Sequence, residues 1–251
     1  MRICARLDLK GEKVIKGLQM EGLREVGSIS SLSQSYFQQG ADEIILLDAT
    51  SSWFSVDTKP EVIAKLVENI FIPITVGGGI KELRTADNYF SAGADKVALN
   101  TVFFKNRKIA KEISQKYGAQ ATVLQLNVKE IDGKFFCYIE NGRTNTELEV
   151  DQVLKSLSHE EIGEILLTSI DKDGTMDGSD LKLIKHMLDL TDLPIIYSGG
   201  ISSHHDCVDL YNLGLRALAI GAALHYKKIE IGKLKQYLFD LELPCRLESN
   251  V

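Results

Sequence analysis

The sequence predicts a single (β/α)8 barrel of 251 residues, and two observations favour this fold. Short apolar runs alternate with amphipathic stretches along the chain, which is typical of a parallel sheet whose strands are joined by helices. This alternation alone leaves a doubly wound open sheet as an alternative. The chain also repeats itself over half its length, which favours a closed barrel of two half-barrels, roughly residues 1–120 and 121–251.

Eight apolar runs are predicted as the barrel strands. Along the chain they are residues 3–9, 43–49, 72–76, 96–99, 121–127, 164–168, 194–198 and 217–221. The clearest amphipathic stretches, predicted as helices, are residues 28–39, 59–69, 83–92, 107–117 and 202–213. Insertions at 10–27 and 129–144 follow the first and fifth strands, so both are expected at the strand carboxyl ends, the catalytic face of such barrels. Asp132-Gly133 is predicted as a hairpin turn in the second insertion.

The internal repeat pairs equivalent strands of the two halves. Three segments of the first half match segments of the second: residues 5–10 with 124–129, residues 41–47 with 162–167, and residues 78–80 with 199–201. The last two matches share an offset of 121 residues. In the first match Asp8 corresponds to Asn127, so an acid that can exchange protons is paired with an amide that cannot.

Glycine-rich turns follow the third and seventh predicted strands. They are Gly77-Gly78-Gly79 and Ser198-Gly199-Gly200. Because glycine lets backbone N–H groups approach a phosphate closely, each turn is a candidate phosphate site, which Asn100-Thr101 and Gly221-Ala222 complete at the repeat offset. Either turn alone could be an ordinary tight turn, but two in register predict a substrate with a phosphate at each end.

Asp8 is the candidate general acid/base, since it ends the first strand at the predicted mouth of the barrel. The alternative is a strand-end carboxylate in an ion pair with Lys10 or Lys129. Lys16, in the insertion that follows, could reach over a bound anion. Asp48 ends the second strand in the same way.

Charged residues mark both ends of the predicted barrel. At the carboxyl ends, Asp171-Lys172-Asp173-Gly174-Thr175 is interpreted as a substrate-contacting loop, because it lacks the glutamate and the ligand spacing of a calcium loop. Four charges of alternating sign stand near strand starts at the opposite end: Arg2, Glu43, Lys96 and Glu164. By position alone, these four could be a salt-bridge ring that closes the base of the barrel.

Composition excludes several classes of function. The net charge of -6 gives no general reason to bind nucleic acid. The first residues form neither a signal peptide nor a membrane span, so we expect a cytoplasmic protein. Nothing in the sequence indicates a metal or organic cofactor. The four cysteines lack the spacing of a zinc site and are interpreted as reduced thiols: Cys4, Cys137, Cys207 and Cys245.

These motifs closely resemble those of the cyclase subunits of imidazole glycerol phosphate synthase, the HisF family. The similarity covers nearly the whole length, and its most specific segments include Arg6-Leu7-Asp8-Leu9-Lys10, Val14-Ile15-Lys16-Gly17, Thr75-Val76-Gly77-Gly78-Gly79-Ile80 and the run from Gly163 to Asp171. The resemblance implies a twofold-repeated (β/α)8 barrel. It also implies an enzyme that joins ammonia from a glutaminase to a phosphorylated ribulosyl intermediate of histidine biosynthesis, giving imidazole glycerol phosphate and an aminoimidazole carboxamide ribotide.

The resemblance also implies roles for individual residues. Asp8 is expected to be one of two catalytic aspartates, and Lys16 a loop lysine near the substrate. The residues expected to hold the phosphates or the rest of the substrate are Asp48, Gly79, Asn100, Thr101, Thr168, Asp173, Gly174, Ser198, Gly200, Gly221 and Ala222. The strand-start charges match the family's ammonia gate, and Asp95 matches a residue that faces the glutaminase. We therefore expect a heterodimer with a glutaminase subunit.

Three residues depart from the family's pattern. The second catalytic aspartate falls on Asn127, Ala222 stands where a serine is common, and Arg6 replaces the usual cysteine. Asn127 can orient a substrate but cannot exchange a proton near neutral pH, so cyclisation is expected to be impaired unless Asp8 or water substitutes. Two other hypotheses stay open. One is a diverged paralogue that passes ammonia to another substrate, such as a sugar of a surface polysaccharide, and the other is a subunit that only activates a glutaminase.

Overall fold

Eight parallel strands close into a barrel in the computed structural model, which describes residues 1–49 and 60–247. The strands of this part of the chain are β1 (Arg2–Lys10), β2 (Lys13–Leu18), β3 (Glu21–Ser28), β4 (Glu43–Asp48), β5 (Ile74–Gly77), β6 (Lys96–Leu99), β7 (Thr122–Ile131), β8 (Lys134–Ile139), β9 (Thr144–Glu149), β10 (Glu164–Ser169), β11 (Ile195–Ser198) and β12 (Ala217–Ile220). The barrel runs in the order β1, β4, β5, β6, β7, β10, β11 and β12, and β12 pairs with β1 to close it. The predicted (β/α)8 barrel is confirmed, and each predicted strand overlaps one barrel strand.

Helices cover the outside of the barrel. Over the described ranges they are α1 (Ile29–Gln38), α2 (Pro60–Val67), α3 (Leu83–Ser91), α4 (Thr101–Lys105), α5 (Lys108–Tyr117), α6 (Val150–Lys155), α7 (Leu181–Leu190), α8 (His204–Leu213), α9 (Ala222–His225) and α10 (Ile231–Asp240). The five predicted helices correspond to α1, α2, α3, α5 and α8, although the predicted start of the second, Lys59, lies outside the described residues. Within the described residues, no helix has the length and apolar character needed to cross a membrane.

Both ends of helix α8 are defined by residues close to them in the sequence. The Ser203 hydroxyl accepts a hydrogen bond from the Asp206 N–H, and the Asp206 carboxylate accepts one from the Ser203 N–H, which forms a capping box. The helix ends at Gly214, whose φ of 122° favours glycine. Cys207 and Leu210 form the buried face. Residues of the helix and its two ends therefore determine where it begins and ends and which face packs against the core.

The core has an inner and an outer part, because barrel strands are buried on both faces. Strand β4 shows the alternation: Ile45 and Leu47 belong to the cluster inside the barrel, while Ile44 and Leu46 belong to the larger cluster between the strands and helices. The inner cluster comprises Cys4, Ile45, Leu47, Ala98, Val123, Leu166, Ile196, Ala217 and Ala219. The barrel interior is thus packed with side chains and the functional cavity is confined to its mouth.

Both insertions are antiparallel extensions of barrel strands. Strand β7 continues into β8 through the predicted Asp132-Gly133 turn, whose φ angles of 50° and 81° fit a two-residue hairpin. Residues 10–27 were predicted as an insertion without assigned strands, but they contain β2 and most of β3; β2 pairs with the end of β1 and also with β3. The first insertion therefore lies as an ordered hairpin over the mouth, and it places Lys16 opposite β3.

Strand pairing shows that Asp8 and Asn127 are structurally equivalent. Asp8 pairs with Leu47 of the neighbouring strand, and Asn127 pairs with Thr168. Leu47 and Thr168 are separated by the same 121 residues as the two glycine turns. The twofold relation that the sequence suggested therefore holds at the level of register, and both residues stand at the mouth.

Candidate active site

A cavity of about 330 Å³ opens at the carboxyl ends of the strands. This volume lies at the lower end of the roughly 300–1,000 Å³ found for small-molecule sites. Six of the predicted site residues line it: Asp8, Asp48, Gly79, Asn100, Thr101 and Asn127. Asp48 ends β4, Gly79 follows β5, and Asn100 and Thr101 follow β6, so most of these residues come from the first half of the barrel.

A buried charge cluster lies beside this cavity, formed by Arg6, Asp8, Lys16 and Asp173, and Arg6 and Asp8 also line the cavity. Lys16 Nζ lies 2.8 Å from Asp8 Oδ2 and 2.9 Å from both carboxylate oxygens of Asp173. Arg6 Nε lies 2.9 Å from Asp8 Oδ1. No member of the charge cluster is more than 8 % exposed. Two cations and two carboxylates neutralise one another, which makes their burial tolerable.

The charge cluster keeps Asp8 ionised. Burial by itself would raise the pKa of Asp8, but the charges of Arg6 and Lys16 and their hydrogen bonds outweigh burial and hold the pKa below its usual range. The same contacts with Asp173 and Asp8 raise the pKa of Lys16 despite its burial. Asp8 in this arrangement is a fixed carboxylate, and it can exchange a proton readily only when Lys16 or Arg6 moves away.

Asn127 mirrors Asp8 in geometry but not in charge. Its side chain is 1 % exposed, and Asn127 Oδ1 accepts a hydrogen bond from Gln125 Nε2 at 3.2 Å. This contact is the twofold counterpart of the bond from Arg6 to Asp8. Gln125 also lines the cavity and was missed as a site residue, although its position two residues before Asn127, on the same face of the strand, is a sequence signal.

His225 is another titratable group at the second half of the mouth that the sequence did not single out. Its Nδ1 lies 2.7 Å from the Tyr36 hydroxyl oxygen. Burial, and then the charge of Lys16, lower the pKa of His225 to about 4. His225 is therefore neutral at physiological pH and adds no positive charge to the mouth.

The two residues that follow β6 are held in place by hydrogen bonds to the second half of the barrel. Asn100 Nδ2 donates to the carbonyl oxygens of Gln125 and Tyr138, at 3.0 and 3.1 Å. Thr101 Oγ1 accepts from the Glu140 N–H at 3.1 Å. Lys81 and Lys105 also line the cavity and place positive charge near the first glycine turn. These two lysines were not predicted. Lys105 Nζ pairs with Glu140 Oε1 at 2.6 Å, and the carboxylates of Asp8, Asp48 and Glu140 line the cavity too.

The predicted site residues of the second half contact the protein itself. Arg6 Nη1 donates to Thr168 Oγ1 at 2.9 Å and to Ser198 Oγ at 3.1 Å. The backbone approaches two glycines of this half closely, because a Cβ added to Gly200 would collide with the Gly178 carbonyl and one added to Gly174 with the Gly17 carbonyl. Gly221 lies next to Arg6 and Lys16, and Ala222 is buried at the start of α9.

The four charges at the strand starts form a connected strand-start cluster: Arg2, Glu43, Lys96 and Glu164. Lys96 Nζ lies 2.9 Å from Glu164 Oε2 and 3.2 Å from Glu43 Oε2, and Arg2 pairs with both glutamates. Asp95 is exposed beside this cluster, and its carboxylate accepts a hydrogen bond from the Ile74 N–H at 2.8 Å. In the described part of the chain, no three acidic, histidine or cysteine residues are grouped closely enough to hold a metal ion.

Comparisons with known proteins agree with this architecture. Residues 2–230 match the family model described as "Histidine biosynthesis protein". Three similar curated proteins are each named imidazole glycerol phosphate synthase subunit HisF. The one from Thermotoga sp. (strain RQ2) is 38% identical over 248 residues, which cover 99% of this chain and 98% of that protein. The protein from Legionella pneumophila is 41% identical over 202 residues, which cover 80% of this chain and 95% of that protein. The protein from Alkaliphilus metalliredigens is 36% identical over 247 residues, which cover 98% of this chain and 98% of that protein.

Proposed function

The chain belongs to the histidine biosynthesis protein family, and from this membership and the geometry of its mouth we propose that it is the cyclase subunit of an imidazole glycerol phosphate synthase. It would join ammonia to a phosphorylated ribulosyl intermediate and release imidazole glycerol phosphate and an aminoimidazole carboxamide ribotide. The observation that carries this proposal is the match to HisF subunits over nearly the whole chain. None of the three relatives named above is described as a sugar-modifying protein or a scaffold, so the two alternative hypotheses gain no support.

We assign roles at the mouth from the contacts of each residue. A substrate phosphate would lie at the first glycine turn, near Gly79, Asn100 and Thr101, where Lys81 would offset its charge and Lys105 would do so on leaving its pair with Glu140. Asp8 would exchange protons with the reacting group once Lys16 has moved from it. Asn127 would orient the substrate by hydrogen bonds, because its amide cannot act as a base.

The test of this function is an assay of the purified protein with ammonium and the ribulosyl intermediate, in which imidazole glycerol phosphate is measured. We expect slow product formation, and we expect Asp8→Asn to lower the rate by about 10²–10⁴-fold, the usual contribution of general acid/base catalysis. Asp209→Asn, an exposed position on α8, is the matched control and should leave the rate unchanged. Absence of product from folded protein at high concentration would contradict the function, and an unchanged rate in Asp8→Asn would contradict the role of Asp8.

A glutaminase subunit is the proposed partner, in a heterodimer that forms at the end of the barrel opposite the mouth. The strand-start cluster lies there, and the exposed Asp95 is beside it. Ammonia from the partner would enter through this cluster, which serves as the gate. Because the pathway is biosynthetic and its substrates are small phosphorylated molecules, we place the complex in the cytoplasm.

The gate can be tested with Lys96→Ala, which removes one of the two cations that pair with both glutamates. Free ammonium can enter at the mouth, whereas ammonia from glutamine must pass the strand-start cluster. We therefore expect the ratio of glutamine-driven to ammonium-driven turnover to fall about tenfold, the effect of losing roughly one charge-assisted hydrogen bond. Lys108→Ala, an exposed lysine of α5, is the control. An unchanged ratio in Lys96→Ala would show that ammonia does not enter here.

A further inference from the structure

The Arg6 side chain crosses the barrel interior at the floor of the cavity. Arg6 belongs to β1, but its Nη1 donates to Thr168 Oγ1 on β10 and to Ser198 Oγ on β11. In the barrel order, β10 lies three strands from β1, and Thr168 is the register partner of Asn127. Arg6 precedes Asp8 by two residues on the same face of β1, so it lies one step deeper in the barrel. The guanidinium therefore lies below the space between Asp8 and Asn127.

Two N–H groups of this guanidinium are left for a ligand. A guanidinium has five N–H donors. Nε donates to Asp8 Oδ1 at 2.9 Å, and Nη1 donates to the two hydroxyls named above. Nη2 has no hydrogen-bond partner among the described residues, yet it is not one of the fully buried polar atoms that lack a partner. Because Arg6 is only 2 % exposed and lines the cavity, we assign the accessible surface of Nη2 to the cavity.

The carboxylates of the charge cluster do not use this edge of the guanidinium. Lys16 Nζ bonds both Asp8 and Asp173, at 2.8 and 2.9 Å. Arg6 bonds Asp8 through Nε, and its Nη1 is 3.9 Å from Asp173 Oδ1. An anionic oxygen of a ligand could thus reach Nη2 without displacing a protein carboxylate. The guanidinium is also held at three points, so the donors need no rearrangement on binding.

We propose that Arg6 is a further substrate-binding residue, whose Nη2 donates to a ligand oxygen that carries or develops negative charge. The identity of that oxygen, the keto oxygen of the ribulosyl group, rests on the proposed function. When ammonia adds to the keto carbon, a C–N bond forms and the π electron pair of C=O moves onto this oxygen. The nitrogen then gives one proton to water and the oxygen takes one from water, while Arg6 stays protonated. Arg6 thereby stabilises the charge that an acid in place of Asn127 could neutralise.

Two ligands that differ in one anionic group test the proposal without turnover. 4-Phosphoerythronate has its carboxylate carbon as far from the phosphate as the keto carbon of ribulose 5-phosphate, and erythritol 4-phosphate has a hydroxymethyl group there. Each is titrated into the full-length protein by isothermal titration calorimetry. We expect the carboxylate ligand to bind at least about tenfold more tightly, the effect of one charge-assisted hydrogen bond. A ratio below about threefold, or no binding of either ligand, would overturn the proposal.

Variants of Arg6 show whether this preference comes from Nη2. Arg6→Gln removes the guanidinium, and Arg6→Lys keeps a charge beside Asp8 but lacks the second donor edge. We expect both to bind the two ligands within about threefold of each other, and Arg6→Lys decides if Arg6→Gln does not fold. Arg216→Gln, an exposed arginine just before β12 at the opposite end of the barrel, should keep the native ratio. The native ratio in either folded Arg6 variant would overturn the proposal.

Turnover separates the role of Arg6 from the proposed function. In the ammonium-driven assay we expect Arg6→Lys to lower kcat by about 10²–10³-fold with KM nearly unchanged, as for the loss of one oxyanion donor. With Asn127→Asp in the same chain, the loss should shrink below about tenfold, because the restored acid neutralises the oxygen. Equal losses in both backgrounds would overturn the assignment to the keto oxygen. Ligand binding that depends on Arg6, without product from any variant, would support its binding role and contradict the proposed function.

Discussion

Replacing Asn127 by aspartate is expected to raise the rate of ammonium-driven cyclisation by about 10²–10⁴-fold. Asn127 occupies the strand position equivalent to Asp8, at the edge of the same cavity. The change keeps the size of the side chain and keeps an oxygen to accept the hydrogen bond from Gln125 Nε2. It adds the one property that the native residue lacks, which is the ability to take up and return a proton.

The gain is measured as initial rates with ammonium and the ribulosyl intermediate, across a range of pH. A restored acid/base group should add a titration to the rate profile that the native protein does not show. Asn212→Asp makes the same chemical change at an exposed position of α8 and should alter nothing. If Asn127→Asp is folded and its rate equals the native rate, proton transfer at this position does not limit the reaction, and the constraint on Asp8 becomes the leading explanation.

Lys16→Ala is expected to lower the free energy of unfolding by about 3–5 kcal/mol, the cost of leaving buried charges without a partner. Lys16 is 3 % exposed and bonds both Asp8 and Asp173. Its removal leaves these two carboxylates buried with Arg6 as the remaining cation of the charge cluster. The effect is large because the carboxylates cannot regain water without opening the hairpin.

The loss of unfolding free energy is measured by urea unfolding at neutral pH, with circular dichroism as the signal. The control is Lys13→Ala in the same strand β2, where Lys13 pairs with Glu25 at 2.8 Å but both side chains are 56 % exposed. Exposed pairs contribute about 0–1 kcal/mol, so the two lysines should differ clearly. Equal losses would show that the hairpin opens readily in the native protein and that the charge cluster is solvated.

The eight barrel strands and five of the ten described helices could be predicted because their signals are local. Apolar runs mark the eight barrel strands, and residues such as Ser203, Asp206 and Gly214 define helix ends. The Asp132-Gly133 turn could also be predicted, because this pair of residues is typical of a two-residue hairpin. The strands β2 and β3 were not predicted because the turn between them lacks the usual sequence signal. Gln19 and Met20 adopt φ angles of 51° and 64°, which are positions where glycine or asparagine is usually found.

The candidate site was predictable only in part. Strand ends are fixed by the fold, so the sequence could place Asp8, Asn127 and the glycine turns at the mouth, although their roles in catalysis and phosphate binding stay predictions. Gln125 was missed although its position two residues before Asn127 points to the same face, and Lys81 and Lys105 were missed because no motif singles out a lysine there.

The sequence by itself determined the barrel, its twofold repeat and the presence of an amide in place of an acid at Asn127. The alternation of apolar runs with amphipathic stretches, the repeat offset and the residue type are all visible in the linear sequence. Only the tertiary structure decided that Arg6, Asp8, Lys16 and Asp173 form one buried charge cluster at the mouth. That outcome depends on where Arg6 and Lys16 point, and their partners Thr168 and Asp173 lie more than a hundred residues away. The direction of a long side chain in a shared interior is set by packing and charge from distant strands, which no local pattern encodes.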